Sequence, residues 1–149
     1  TVRTMAEIAE ETERHIDYAK RFRTNEFVIH DRVDAISHAT CGMAIDIGAK
    51  VIVVTSMSGM TVRMVSRFRA PTDIVGMATN KRVWYKLSLS WGVLPVLSEQ
   101  FNSTDVLFYH ALRAARDTMH LQPGDNVVMT GGITNGKSGN TNLIKIEAV

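Results

Sequence analysis

The chain has 149 residues, a length that fits one ordinary domain with a real core. A hydrophobic share of 45%, a charged share of 21% and a formal charge of +2 describe a soluble globular balance, and they exclude a disordered segment or a nucleic-acid binder's basic footprint. Apolar runs end after a few residues, which leaves no membrane span and no signal segment, and the single Cys41 has no partner for an internal disulfide, so a cytoplasmic location follows by default.

Residues 4–20, TMAEIAEETERHIDYAK, place Met5, Ile8, Ala9, Thr12 and Ile16 on one helical face and Glu7, Glu10, Glu11 and Arg14 on the other. The pattern predicts one amphipathic helix whose apolar stripe needs a partner. No initiator Met precedes it, and it reads as the cut end of a longer polypeptide. Residues 21–32, RFRTNEFVIHDR, are mixed and polar and predict a linker or extended segment. DAISHATCGMAIDIGA then predicts a mostly buried helix, opened by a cap at Asp31 or Asp34 and closed at Gly48. Cys41 falls inside it, as a buried thiol rather than a nucleophile.

From residue 50 the rhythm is strand, helix, strand. KVIVV, DIVGM, VLPVL and NVVMT are strand signals, with helical patterns between them at 60–68, 80–90 and 104–119. Trp84, Tyr85 and Phe108 fall within those helical patterns and Trp91 is taken to continue the second of them; all four are expected to pack. Continuous apolar strands alternating with helices imply a parallel sheet covered on both faces. The last run, NLIKIEAV, follows NVVMT across a short glycine-rich connection that cannot make a parallel crossover, so an antiparallel edge strand is predicted.

Two segments could carry binding chemistry. Ser56, Met57, Ser58, Gly59, Met60 and Thr61 lie between the strand VIVV and a helix carrying Arg63, Val65 and Arg67. Free amides of a first helical turn, a glycine that lets them converge, and hydroxyls completing the cage suit an anion, at the strand end where α/β sheets collect ligands. The same residues would serve equally as an ordinary helix cap, and the spacing is not that of a P-loop. The second segment, TGGITNGKSGNTN at 130–142, is glycine-rich and carries Lys137 at its tip; it reads either as a plain hairpin connection or as a lid over the first.

Catalytic constellations are thin. His15, His30, His38, His110 and His120 show no metal-ligand spacing, no nucleophile elbow exists, and Glu10 and Glu11 diverge on a solvated helix face. Phe101, in the loop SEQFNSTD, is the one aromatic placed to flank a ligand.

The series TMAEIAEETE, DAISHA, TSMSGMTVRMVSRFRAP, WGVLPVL and PGDNVVMTGG with SGNTNLIKI resembles, in order and spacing, the carboxy-terminal part of pyruvate kinase over essentially the whole chain. The resemblance implies an α/β three-layer sandwich: a five-stranded, mostly parallel sheet, its last strand antiparallel, with helices on both faces. Residues 1–20 would be the terminal helix of a missing barrel domain, 21–32 a linker, and 33–149 the C-terminal regulatory domain. It also implies a cytoplasmic homotetrameric glycolytic enzyme that moves phosphate from phosphoenolpyruvate to ADP, with Mg²⁺ and K⁺ held in the barrel. This fragment would then have no catalytic residue, metal or cofactor, and no nucleic-acid or membrane partner.

By the same resemblance Ser56, Met57, Ser58, Gly59 and Thr61 are the expected phosphate ligands of an allosteric effector, with Gly136, Lys137, Ser138 and Gly139 as the effector loop. Family members that take sugar bisphosphates often carry an Arg after the strand matching VLPVL and an Arg or Lys inside the turn. Here SEQFNSTDVLF has neither basic residue, and Met57 and Met60 stand in the turn, which favours a monophosphate such as a sugar phosphate or AMP. The alternative is a purely structural oligomerisation domain with a vestigial phosphate site.

Overall fold

The structure, a computed structural model, describes residues 1–132 and 140–149. The N-terminal periodicity resolves into two helices where one was expected, α1 (Val2–Arg14) and α2 (Tyr18–Thr24). Asp17 causes the break: it leaves helical geometry and its carboxylate accepts the Lys20 N–H at 2.9 Å, capping a new helix. Residues 21–24, expected to belong to a linker or extended segment, are therefore helical, and the non-helical stretch begins only after Thr24. No residue of α1 is buried, and Val2, Met5 and Ile8 of its apolar stripe are exposed.

Helix α3 (Arg32–Asp46) is capped by Asp31, whose side chain accepts the Asp34 N–H at 2.8 Å. Asp34 has another task. Its carboxylate is buried, accepts the His30 N–H and pairs with Arg67 at 3.3 Å. The helix closes as predicted around Gly48, with the Ala49 N–H reaching back to the Ala44 carbonyl.

Strands β1 (Val51–Thr55), β2 (Asp73–Ala78), β3 (Val93–Leu97), β4 (Asn126–Gly132) and β5 (Thr141–Ala148) form one sheet in the order β3-β2-β1-β4-β5. β1 to β4 run parallel, and β5 lies antiparallel on β4 at the edge. Side chains alternate across β1, whose five residues are all buried. Ile52 and Val54 join α3, α4 (Met60–Arg67) and α5 (Lys81–Leu87) in one core, while Val51 and Val53 join α6 (Thr104–Met119) in the other. Each such side chain contributes about 1.5–3 kcal/mol. The three-layer α/β sandwich is thus present, with three helices on one face and α6 on the other.

Two local expectations fail. Helix α5 ends at Leu87, so Trp91 stands in the turn before β3 rather than in a helix. Tyr85 does lie in α5 but is 65% exposed, because it falls on the face turned away from the sheet.

Cys41 is fully buried against α4, its thiol 3.7 Å from the Val65 carbonyl, and burial pushes that thiol up from 9.0 to about 12. A raised value keeps the folded thiol neutral while the unfolded one ionises. Cys41 is therefore neutral to stability below pH 9, and stability is lost as pH rises from 9 toward 12. Urea midpoints across that window should fall less steeply in Cys41→Ala than in the parent; equal slopes would show a thiol that ionises freely in the fold.

Candidate functional site

The strand order changes direction between β1 and β4. Helix α4 carries the chain from β1 to β2 over one face, and α6 returns it from β3 to β4 over the other. The carboxyl ends of β1 and β4 mark the topological switch point, where open α/β sheets bind ligands. The turn 56–59 leaves β1 at this point.

Backbone and hydroxyls shape the turn together. The Ser56 N–H donates to the Met77 carbonyl of β2 at 3.3 Å, which fixes where the chain departs. Ser56 Oγ accepts the Gly59 N–H at 3.1 Å, and Ser58 Oγ accepts the Met60 N–H at 3.4 Å. Gly59 is left-handed at φ 75 and caps α4. A side chain there would also strike α5, since its Cβ would lie 2.8 Å from Val83 Cγ1 and 3.2 Å from Leu87 Cδ2. Glycine is required twice over, by conformation and by space. The amides that open α4 have no acceptor within the helix, and they carry the positive end of its dipole.

Of the expected phosphate ligands, Ser56 is half-buried, Met57 and Ser58 are exposed, and Gly59 and Thr61 are buried. Thr61 faces inward because its hydroxyl bonds that of Thr141 on β5 at 2.6 Å. Thr141 lies inside the 130–142 segment, but the sequence does not single it out as a member of the site, as it is far along the chain from Thr61. Arg63 is another: its guanidinium reaches back to Met60 Sδ at 3.7 Å, which sets a cation at the rim of a turn that has none of its own. Its helical spacing from Met60 could have revealed it.

The other wall is β4. Gly131 lies so close to Thr55 that a Cβ there would collide with the threonine hydroxyl. Gly131 on one strand and Thr141 on the next therefore bring both ends of the 133–139 connection beside the turn. Gly136, Lys137, Ser138 and Gly139 of the expected effector loop lie outside the described residues.

Phe101 stacks on His110 with centroids 4.5 Å apart and planes 10° from parallel. The pair lines an open cavity of about 420 Å³ with Val96, Glu99 and Arg113. Met77 also lines it and, through its carbonyl, holds Ser56, so cavity and turn share one strand end. Among the described residues no group of three or more His, Cys, Asp or Glu is placed to hold a metal. No helix among them is long and apolar enough to cross a membrane.

Residues 34–147 match the family model described as "Pyruvate kinase, alpha/beta domain". The chain is 36% identical to pyruvate kinase of Clostridium acetobutylicum over 151 aligned residues, covering 99% of the chain and 32% of that protein. It is 31% identical to the enzyme of Lactobacillus delbrueckii subsp. bulgaricus, covering 100% of the chain and 26% of that protein. With pyruvate kinase of Staphylococcus saprophyticus the identity is 32%, over 99% of the chain and 25% of the relative. The chain thus spans between a quarter and a third of the length of these curated relatives. With a family match over most of its length and the expected five-stranded sheet with its last strand antiparallel, the chain belongs to the pyruvate kinase alpha/beta domain family.

Proposed function

We propose that this chain is the C-terminal regulatory domain of a pyruvate kinase and that the 56–61 turn binds a phosphorylated effector. One observation carries the reading: a left-handed glycine opens α4 among hydroxyls at the sheet's switch point, with both ends of the β4–β5 connection beside it. Phosphate oxygens would accept from the first-turn amides and from Ser58 and Thr61, with Arg63 as a cation at the rim. One guanidinium at the rim suits a monophosphate, such as a sugar phosphate or AMP, better than a bisphosphate. Lys137 and its glycine neighbours would close over it.

In the parent enzyme, a cytoplasmic homotetramer in this reading, phosphoenolpyruvate and ADP react in the barrel domain, where Mg²⁺ and K⁺ are held. This fragment supplies no catalytic group. It acts by shifting a two-state assembly, a coupling of roughly 1–3 kcal/mol. The exposed stripe of α1 fits a surface that the barrel would cover.

A second reading has its own support. The Ser56 and Ser58 hydroxyls already bond to the Gly59 and Met60 amides, as plain capping residues do, and a purely structural oligomerisation domain would need no more. Thermal unfolding with AMP, glucose 6-phosphate and fructose 1,6-bisphosphate, against matched sulfate, separates the two. A ligand at 100 times its Kd adds about 2.7 kcal/mol. Ser58→Asp should abolish that gain while keeping the fold, since a carboxylate near a helix N-terminus is otherwise favourable. No stabilisation by any of the three would leave the structural role standing.

A further inference from the structure

Trp91 touches both sides of the break between α1 and α2. Its indole N–H donates to Glu13 Oε1 at 2.9 Å, in the last turn of α1. Its ring lies 4.9 Å from that of Tyr18, the first residue of α2. Between these two residues runs the non-helical joint at Asp17.

The same tryptophan is fastened to the far end of α4. Ser66 Oγ donates to its carbonyl at 2.6 Å, and the Arg69 guanidinium sits 5.4 Å from its ring centroid. Arg69 reaches there from a left-handed backbone, φ 49, just past the C-terminus of α4, a conformation uncommon for a residue with a Cβ. A left-handed arginine, a short hydrogen bond and an aromatic contact thus converge on one half-buried residue, its backbone and its ring together. Nothing about α1 itself explains this, since none of its residues is buried.

We propose that Trp91 is a latch that fixes the angle at which α1 leaves the α/β domain. With the indole in place, Glu13 and Tyr18 are held on either side of the joint and the α1–α2 elbow is rigid. With it removed, α1 swings about residues 15–17 while the sandwich stays intact. The orientation of whatever packs on the stripe of Val2, Met5 and Ile8 is then set by a residue in the α5–β3 turn. This inference does not depend on any ligand at the 56–61 turn.

Two nitroxide labels test it, one at Glu10→Cys on α1 and one at Lys81→Cys on α5, both exposed positions, in a chain carrying Cys41→Ala. Electron–electron dipolar spectroscopy should give one narrow distance distribution. Trp91→Ala should broaden it severalfold with the near-ultraviolet dichroism of the core preserved. Glu13→Gln, which keeps a carbonyl acceptor, should leave it narrow. If Trp91→Ala does not fold, Glu13→Ala decides, because it breaks the latch from an exposed helix. A parent distribution that is already broad, or one that stays narrow when the Glu13 acceptor or the indole is lost, overturns the latch.

Discussion

Phe68→Ala is expected to cost about 3–5 kcal/mol of unfolding free energy, the range for emptying a buried aromatic site. Phe68, 2% exposed, is where the N-terminal segment and the sandwich meet. Its ring packs edge-on against Phe27 at 5.0 Å and His38 at 5.2 Å, and His38 in turn stacks on Phe22 of α2 at 4.9 Å. The Arg67 guanidinium lies 4.8 Å from the Phe68 ring centroid. Removing the ring therefore unseats two partners as well as losing its own burial. Urea unfolding followed by far-ultraviolet dichroism measures the cost, and Phe68→Leu, which keeps most of the apolar volume, should recover more than half of it. A loss under about 0.5 kcal/mol for the alanine, the level of an ordinary surface change, would mean that this aromatic cluster does not hold α2 to the domain.

Leu87→Ala should cost about 2–5 kcal/mol and should be felt at the turn as well as in the core. Leu87 is 1% exposed, and with Val83 it forms the floor against which Gly59 rests. The turn's shape depends on that floor. A cavity there frees Gly59 to move, so the Gly59 amide, which donates to Ser56 Oγ, should exchange with deuterium faster than global unfolding alone predicts. Leu87→Met conserves volume and should cost less than about 1.5 kcal/mol. Unchanged local exchange at Gly59 in a destabilised Leu87→Ala protein would show that the turn holds its shape without α5.

The strands were legible because burial on both faces writes itself as an unbroken apolar run: VIVV, DIVGM and NVVM admit no amphipathic alternative of useful length. The antiparallel β5 was legible from the shortness of its connection. The break at Asp17 was not, because α2 resumes the helical pattern that α1 leaves, and only the cap bond from the Lys20 amide marks the interruption. Trp91 was misplaced for a related reason: its apolar character continues the α5 pattern although the helix has already ended. The site divides the same way. Ser56 to Thr61 are contiguous and could be read as one turn, whereas the Thr61 and Thr141 hydroxyls meet only because β4 inserts between β1 and β5.

That insertion bears on how the sheet is assembled. β1, β2 and β3 follow one another along the chain and along the sheet, so their pairing needs only local crossovers. β4 must travel back past both to reach β1, in the pairing of Val51 with Val127, and loop-closure entropy weighs most heavily there. Until it arrives, β1 is an open edge of valine and isoleucine, the arrangement most prone to pairing with a foreign strand. The seam between β1 and β4, at whose end the 56–61 turn lies, is therefore the one with the largest closure cost. The same pairing that joins the two halves of the sheet also sets Gly131 against Thr55 and so supplies the second wall beside the turn.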